Sequence, residues 1–435
     1  MKKVLIDKIS KRTATIGVVG LGYVGLPLIR AIVTKGFSTI GFDINQKKVA
    51  GLLNGKSDIT TVTESDLENI FKYNVEFTVN FEKLAQCDVV LVCVPTPLAK
   101  NRQPDLSHVT VAFETIARHL KKSALLVLES TTYPGTTEEI ILPIIQKNTD
   151  SSLNFFIAYS PEREDPGNTN FSNIQIPKIV GGLNQDSVEL AELFYSSFIS
   201  KVHTVSSCKV AEAVKVFENS FRLINISFVN EMKIIFDAMN IDIWEVIEAA
   251  ETKPFGFMPF YPGPGIGGHC IPIDSFYLSS KAHEYGLSTK FIEVCGEIIK
   301  LMPHYVVNKT AEAIDKYLLR GLYQSNILIL GVSYKQNIGD FRASPSIDIW
   351  NILENRGANV EYYDPYVPTV EINGKFHHSV IFEKIDFFKY DAVVLLTSHN
   401  GIDYQKVLDN SKILIDTRNI VSNFSIPHDV KVIKA

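Results

Sequence analysis

The chain has 435 residues, 43 Lys and Arg against 48 Asp and Glu, a formal net charge of −5, and 46% apolar residues. That length predicts two or three domains, and the mildly acidic balance without a Lys/Arg tract argues against nucleic-acid binding. Met1 to Thr13 is charged and alternates like a short amphipathic helix, without the apolar core of a signal peptide. No run approaches the ~20 apolar residues of a membrane span. The five cysteines, Cys87, Cys93, Cys208, Cys270 and Cys295, form no C-x-x-C pair. Their odd number fits reduced thiols in the cytoplasm, with no disulfide framework and no metal site expected.

Ala14 to Val19 is an apolar, β-rich run that leads into Gly20-Leu21-Gly22-Tyr23-Val24-Gly25. A helical pattern follows, Leu26 to Lys35, and a second strand, Ser38 to Phe42, ends in Asp43. This is the dinucleotide-binding strand–helix–strand fingerprint: Gly20 makes the turn, Gly22 admits a pyrophosphate and Gly25 lets helix and strand pack. Tyr23 and Val24 belong to the same loop. Asp43 stands where a carboxylate binds the ribose 2′-OH and repels a 2′-phosphate, so NAD is expected rather than NADP.

Val75 to Val79 reads as a strand, and Asp88 to Val94 as a continuous apolar strand of a parallel sheet covered on both faces. Pro95-Thr96-Pro97 breaks it, and ligands in such sheets bind at the carboxyl ends of strands, so Pro95 and Thr96 should face the cofactor. Ala124 to Leu128 is a strand ending in Glu129-Ser130-Thr131-Thr132-Tyr133-Pro134-Gly135-Thr136-Thr137. Its hydroxyls either touch nicotinamide or cap the next helix, and Thr136 or Thr137 is the expected cap. Phe155 to Ala158 is a further strand, followed by the charged loop Ser160 to Asn168, either solvated or part of a site at another strand end.

Cys208 to Ala238 then runs without Gly or Pro as a long helix carrying Glu212, Lys215, Asn219, Asn225, Asn230 and Glu231. Lys215 and Asn219, four apart, share one face; such polar residues form a solvated stripe or line a site. Helices are expected over Asp242 to Glu251 and Phe291 to Tyr317, the long central segment also serving for dimerisation. Between them, Gly263-Pro264-Gly265-Ile266-Gly267-Gly268 cannot be ordinary helix or strand and describes a backbone passing close to a ligand. His269 and Cys270 follow, where a helix begins in Pro272-Ile273-Asp274. A helix N-terminus favours a thiolate, and Asp274 lies over the same face. The alternative is a glycine-rich turn beside an inert buried cysteine.

The last third repeats the α/β pattern: strand Asn326 to Leu330 ending at Gly331, helix Ser344 to Asn355, strand Ala358 to Tyr363 ending in Asp364, then strands Asp391 to Leu396 and Lys412 to Ile415. It echoes the first domain without the glycine fingerprint, as a nucleotide-type fold for something other than NAD. Lys335 and Arg342, at a strand end and before a helix N-terminus, form a phosphate site or are exposed loop charges.

In order along almost the whole chain, Gly20 to Gly25, Val94 to Pro97, Glu129 to Thr137, Ser160 to Glu164, Ala211-Glu212 with Lys215 and Asn219, Gly267 to Asp274 and Lys335 to Pro345 resemble the nucleotide-sugar 6-dehydrogenases, the UDP-glucose/GDP-mannose dehydrogenase family. The resemblance implies an α/β chain of two Rossmann-like, doubly wound parallel-sheet domains joined by a long central helix. It places the NAD domain at 1–205, a central helical domain with the cysteine loop at 206–317 and a UDP-sugar domain at 318–435. It implies a homodimer or larger assembly and a two-step, four-electron, NAD-dependent oxidation of a primary alcohol to a carboxylate. In that chemistry Cys270 is the nucleophile, Lys215 and Asn219 stabilise the oxyanion, Asp274 and Thr131 hold or activate water, and Glu162 is a base. Thr131 also joins the cofactor set. Glu162, Arg163, Lys215, Asn219, Tyr261, Gly265, Gly268, Lys335 and Arg342 are the substrate-binding set.

Within the family, Thr252 to Gly265 resembles the UDP-N-acetylhexosamine branch, nearest the UDP-N-acetylglucosamine 6-dehydrogenase type that feeds O-antigen and capsule synthesis. UDP-glucose members usually carry a lysine at Ile273, a small residue at His269 and an arginine within Phe255 to Tyr261, so UDP-glucose is disfavoured. UDP-N-acetylmannosamine and UDP-N-acetylgalactosamine stay open. A single-step 3-hydroxy acid dehydrogenase is the alternative of another class; it needs no cysteine and leaves the last third unexplained.

Overall fold

A computed structural model of Met1–Ala435 describes all residues except 60–61, 100–102, 121, 150–152, 164–174 and 269–270. The chain divides into two compact units, Met1–Glu218 with Phe276–Ser288, and Asn219–Ser275 with Thr289–Ala435.

The first unit begins with α1 (Lys2–Ser10), β1 (Thr15–Val19), α2 (Gly25–Val33), β2 (Ser38–Phe42), α3 (Gln46–Leu53), α4 (Glu64–Ile70), β3 (Val75–Thr78) and β4 (Val89–Val92). It continues with α5 (Ser107–His119), β5 (Leu125–Leu128), α6 (Leu142–Asn148), β6 (Phe156–Tyr159), β7 (Lys178–Gly182), α7 (Gln185–Ser196) and β8 (Val202–Thr204). The strands form one sheet in the order β3-β2-β1-β4-β5-β6-β7-β8, a doubly wound layout with its switch between β1 and β4. Both faces are covered. Val89 and Leu91 of β4 and Leu125 and Val127 of β5 join one apolar cluster, while Val90, Val92, Leu126 and Leu128 join the other, as strand alternation dictates. A side chain of this kind contributes about 1.5–3 kcal/mol when fully buried.

The expectation of an all-parallel sheet needs one correction: β7 pairs antiparallel with β6, and β8 then pairs parallel with β7. β7, α7 and β8 had no sequence signal, because Lys178-Ile179-Val180-Gly181-Gly182 mixes a charge and two glycines into five residues.

Helix α8 (Cys208–Ala238) is a single 31-residue helix. The second unit further holds α9 (Ile243–Glu251) and the start of α10 (Ile271–Glu284), whose residues from Phe276 belong to the first unit. It continues with α11 (Lys290–Leu318), β9 (Asn326–Leu330), α12 (Pro345–Asn355), β10 (Asn359–Tyr363), the hairpin β11 (Thr369–Ile372) and β12 (Lys375–His378), β13 (Ala392–Leu395), α13 (Tyr404–Asn410), β14 (Ile413–Asp416) and β15 (Lys431–Lys434). Its main sheet, β10-β9-β13-β14-β15, is parallel throughout. Both long helices, α8 and α11, stand where the sequence placed them.

The surface of α8 separates the two readings of its polar residues. Glu212, Lys215, Asn219, Asn230 and Lys233 are buried, whereas Phe217, Phe221 and Phe228 are 71%, 44% and 54% exposed. These five are not a solvated stripe, whereas Glu231 is exposed and Asn225 half-buried, and the three aromatic residues face outward.

Candidate active site

At the carboxyl ends of β1, β2, β4 and β5 the first unit assembles the fingerprint loop. Gly20 has φ +96°, and a Cβ there would lie 2.6 Å from the Cys93 carbonyl oxygen. A Cβ on Gly25 would lie 1.9 Å from the Gly20 carbonyl oxygen, so these two glycines close the turn into α2. Gly22 differs: its Cβ would meet nothing within 4 Å, which leaves its bare backbone open to a diphosphate. The Asp43 carboxylate accepts the N–H of Leu21 at 3.0 Å and of Asn45 at 2.9 Å, one on each oxygen, and keeps lone pairs for a ribose hydroxyl. Tyr23 and Val24 lie half-buried in this loop, with Val24 as the N-cap residue of α2. Pro95 is exposed and Thr96 and Thr131 are half-buried just beyond β4 and β5. The Tyr277 hydroxyl donates to the carbonyls of Thr96, at 2.8 Å, and Pro97, at 3.1 Å. These residues fit NAD. Asp43→Ala is expected to raise the KM for NAD about tenfold, the cost of one hydrogen bond to a charged group. Steady-state kinetics with both cofactors measure it; equal efficiency with NADP in the unaltered protein would remove Asp43 from the ribose.

Behind this loop lies a buried ionic cluster. Lys178 Nζ of β7 donates to Glu129 Oε2 at 2.5 Å and Glu162 Oε2 at 3.1 Å, and the Tyr195 hydroxyl of α7 donates to Glu129 Oε1. Burial pushes the Glu129 carboxyl above its usual range despite Lys178. Burial alone would lower Lys178, but Glu129 and Glu162 hold its ammonium above the ordinary lysine range. Lys215 Nζ of α8 donates to the Glu162 carbonyl oxygen at 2.6 Å. Arg163 is committed within the protein: it grips Glu218 through Nη2 at 2.6 Å and Nε at 3.2 Å, and Nη1 donates to the Pro177 carbonyl at 2.7 Å.

The expected helix cap at Thr136 or Thr137 is replaced by Glu212 of α8. Its carboxylate accepts the N–H of Gly135 at 2.6 Å and the N–H and hydroxyl of Thr137 at 2.8 and 2.6 Å. Burial raises Glu212 to about 7, opposed by these donors.

In the second unit Asn219 Nδ2 donates to Asp274 Oδ2 at 2.5 Å, both residues being buried. Asp274 lies in the first turn of α10. The glycine loop is tied to α8 by Gly263 N–H on Asn230 Oδ1 at 2.9 Å. Its glycines answer to the protein itself, not only to a ligand. A Cβ on Gly263 would lie 2.4 Å from Arg418 Nη1; on Gly265, with φ +141°, 3.1 Å from Pro345; on Gly267, 2.7 Å from Tyr334 Cβ; and on Gly268, 2.9 Å from the Tyr334 ring. Tyr261 stacks on Trp244, centroids 5.6 Å apart and planes at 12°. Lys335 is half-buried, and exposed Arg342 forks onto Asp340, Nε to Oδ1 at 2.9 Å and Nη2 to Oδ2 at 2.7 Å. Ser344 caps α12, accepting Ser346 N–H at 3.3 Å.

Arg418, just past β14, escaped the sequence reading. Its Nε donates to the Leu396 carbonyl at 3.3 Å, and burial lowers its pKa to about 10 although Asp416 opposes. Its one signal was a cation two residues beyond a strand-end aspartate. Cys270, with His269 and the part of the charged loop from Glu164 to Asn168, lies outside the described residues. The other four cysteines are buried. Burial pushes the Cys87 thiol up to about 12 and the Cys93 thiol well above its ordinary value, so neither is a ready nucleophile.

Three domains of one family match the chain in order. These are the NAD binding, central and UDP binding domains of the UDP-glucose/GDP-mannose dehydrogenase family, over residues 14–199, 209–299 and 328–423. The chain belongs to the UDP-glucose/GDP-mannose dehydrogenase family. This family member is an NAD-dependent nucleotide-sugar dehydrogenase, and the UDP binding match gives its last third a role that a one-step hydroxy acid dehydrogenase would not. It is 36% identical to UDP-N-acetyl-D-glucosamine 6-dehydrogenase of Pseudomonas aeruginosa over 388 residues, 88% of this chain and 90% of that one. It is 33% identical over 420 residues to UDP-N-acetyl-D-mannosamine dehydrogenase of Methanococcus maripaludis, 93% of each. The solved structure of UDP-D-ManNAc dehydrogenase from Pyrococcus horikoshii matches at TM-score 0.85 and 30% identity, covering 96% of this chain and 99% of that one. Among the described residues no helix of this dehydrogenase is long and apolar enough to cross a membrane.

Proposed function

We propose that this dehydrogenase oxidises the C6 alcohol of UDP-N-acetylglucosamine to the uronic acid in two steps, within the division NAD domain 1–205, central domain 206–317 and UDP-sugar domain 318–435. The observation that carries the sugar is the 36% identity, across 90% of that protein, to a UDP-N-acetyl-D-glucosamine 6-dehydrogenase. Glu162 takes the alcohol proton as the first hydride leaves C6. The Cys270 thiolate adds to the resulting aldehyde, and Lys215 and Asn219 donate to the oxygen that gains the charge. Loss of a second hydride converts this thiohemiacetal to a thioester. Water held by Asp274 and Thr131 adds to it, expels the thiolate and leaves the carboxylate. NAD, when bound, supplies the hydride acceptor for each oxidation, one molecule per step. Among the described residues buried Lys215 bonds to the Glu162 carbonyl, which leaves two of its three donors, and Asn219 is oriented by Asp274, which supports these roles. Lys335, Arg342 and Arg418 suit the diphosphate, with Tyr261, Gly265 and Gly268 lining the sugar nucleotide and Arg163 acting through its neighbour Glu162.

Phe255, Phe257, Met258 and Tyr261 are all exposed and offer an apolar seat for an acetamido methyl, worth about 1 kcal/mol. That is too little to choose between C2 or C4 epimers. UDP-N-acetylmannosamine is the second reading, favoured by the match to the Pyrococcus horikoshii structure. The outward Phe217, Phe221, Phe228 and Ile235 of α8 support a homodimer or larger assembly of a cytoplasmic enzyme that supplies surface-polysaccharide precursors. NADH production at matched concentrations of UDP-glucose, UDP-N-acetylglucosamine and its two epimers tests the sugar. Highest efficiency with UDP-N-acetylglucosamine is expected; highest efficiency with UDP-glucose would overturn the branch, and with an epimer only the sugar.

A further inference from the structure

Beyond the carboxyl ends of β9, β10 and β13, Ser333, Asp364 and His399 form a buried cluster. His399 Nε2 lies 3.0 Å from Ser333 Oγ and 3.1 Å from Asp364 Oδ2. Asp364 accepts throughout: the Ser333 hydroxyl at 3.0 Å and the N–H groups of Val332, Ser333, Tyr366 and Val367 at 2.8 to 3.2 Å. Burial opposes its charge, yet His399 and these donors hold its carboxyl below the usual range. On the other side of the imidazole, the Asn337 backbone N–H donates to Nδ1 at 3.0 Å. A ring nitrogen that accepts carries no proton, so this ring is neutral, with its proton on Nε2 facing Asp364 and Ser333.

The bond to Asn337 fixes a strained turn. Asn337 has φ +61°, a conformation a non-glycine residue keeps only when its surroundings hold it. The same segment is tied to the loop after β13 by Thr397 Oγ1 on the Ser333 carbonyl at 2.7 Å and Asn400 N–H on Asn337 Oδ1 at 2.8 Å. Between these ties sit Tyr334, packed under Gly268, and Lys335.

We propose that His399 is a positioning residue for the nucleotide sugar: its neutral form, accepting at Nδ1, holds the Asn337 turn and thereby Tyr334 beneath the glycine loop and Lys335 at the diphosphate. The inference rests on the reading of Lys335 as a nucleotide contact. The Tyr366 ring packs on the imidazole at 5.1 Å, and the Tyr404 phenol donates to the His399 carbonyl at 3.0 Å. Loss of the acceptor at Nδ1 leaves the Asn337 N–H unpaired and loosens the turn, so nucleotide-sugar affinity falls and NAD affinity does not.

The test is calorimetric binding of UDP-N-acetylglucosamine, and separately of NAD, to the full chain. The proteins are the unaltered chain, His399→Asn and His399→Gln. Asparagine can place an acceptor where Nδ1 sits; glutamine reaches the Nε2 position and leaves the Asn337 N–H unsatisfied. His399→Gln should bind the sugar nucleotide about tenfold more weakly than the unaltered protein, the effect of one lost buried hydrogen bond. His399→Asn should bind it like the unaltered protein, and NAD binding should hold in all three. Unchanged sugar-nucleotide binding in His399→Gln, an equal loss in His399→Asn, or a parallel loss of NAD binding in His399→Gln would overturn the proposal. Failure of the unaltered protein to bind any UDP-sugar would instead refute the nucleotide site on which it rests.

Discussion

Cys270→Ala is expected to abolish formation of the uronic acid while NAD and the UDP-sugar still bind. The second oxidation needs a tetrahedral carbon bearing a hydride and an oxygen anion, and addition of a thiolate to the aldehyde creates it. The family resemblance implies that this thiolate is Cys270; the other four cysteines are buried, and burial raises a thiol pKa. Removal of the sulfur should cost at least about a thousandfold in turnover to the acid, ~4 kcal/mol of barrier. Product mass spectrometry and ligand binding on the same preparation measure both halves of the claim. Near-normal acid formation by Cys270→Ala would remove covalent catalysis from the mechanism.

Lys178→Met should be strongly destabilising. It strands Glu129 without its ammonium partner, and breaking a buried pair by removing one member costs about 3–5 kcal/mol. The loss has a pH signature. Glu129 already titrates above the usual carboxylate range through burial, and without Lys178 it titrates higher still. A carboxyl raised in the folded state holds its proton more tightly there than in the unfolded chain, so its contribution is present at acid pH and lost as the pH rises through the folded value. The deficit in denaturant unfolding should therefore be small near about pH 5 and full near about pH 8. Lys178→Arg should recover much of it, and adding Glu129→Gln to Lys178→Met should recover part. A variant as stable as the parent at the higher pH would show that the cluster carries no weight in the fold.

How much of this was legible in the sequence depends on how far apart the cooperating residues lie. The fingerprint from Gly20 to Asp43 was readable because its physics is local: Gly25 is bare for the carbonyl of Gly20, and Asp43 closes onto Leu21. β7 was not, because a strand that opens on a lysine makes sense only with Glu129 and Glu162, 49 and 16 residues away. Helix α8 was legible in extent, but the choice between a solvated stripe and a site-lining face was not. Its polar face is satisfied by Gly135, Thr137, Glu162 and Asp274, which no helical periodicity reveals. The glycine loop was recognised as special, but the protein atoms that require its bareness belong to Tyr334, Pro345 and Arg418, far along the chain. Arg418 itself went unremarked for the same reason.

In the proposed mechanism one protein carries an alcohol through two successive oxidations. The most direct measurement is the amount of NADH formed per molecule of UDP-N-acetylglucosamine consumed to completion, with the product identified by mass. Two NADH per sugar and a uronic acid are expected, with no aldehyde released. One NADH per sugar with an aldehyde or ketone as the final product would contradict it.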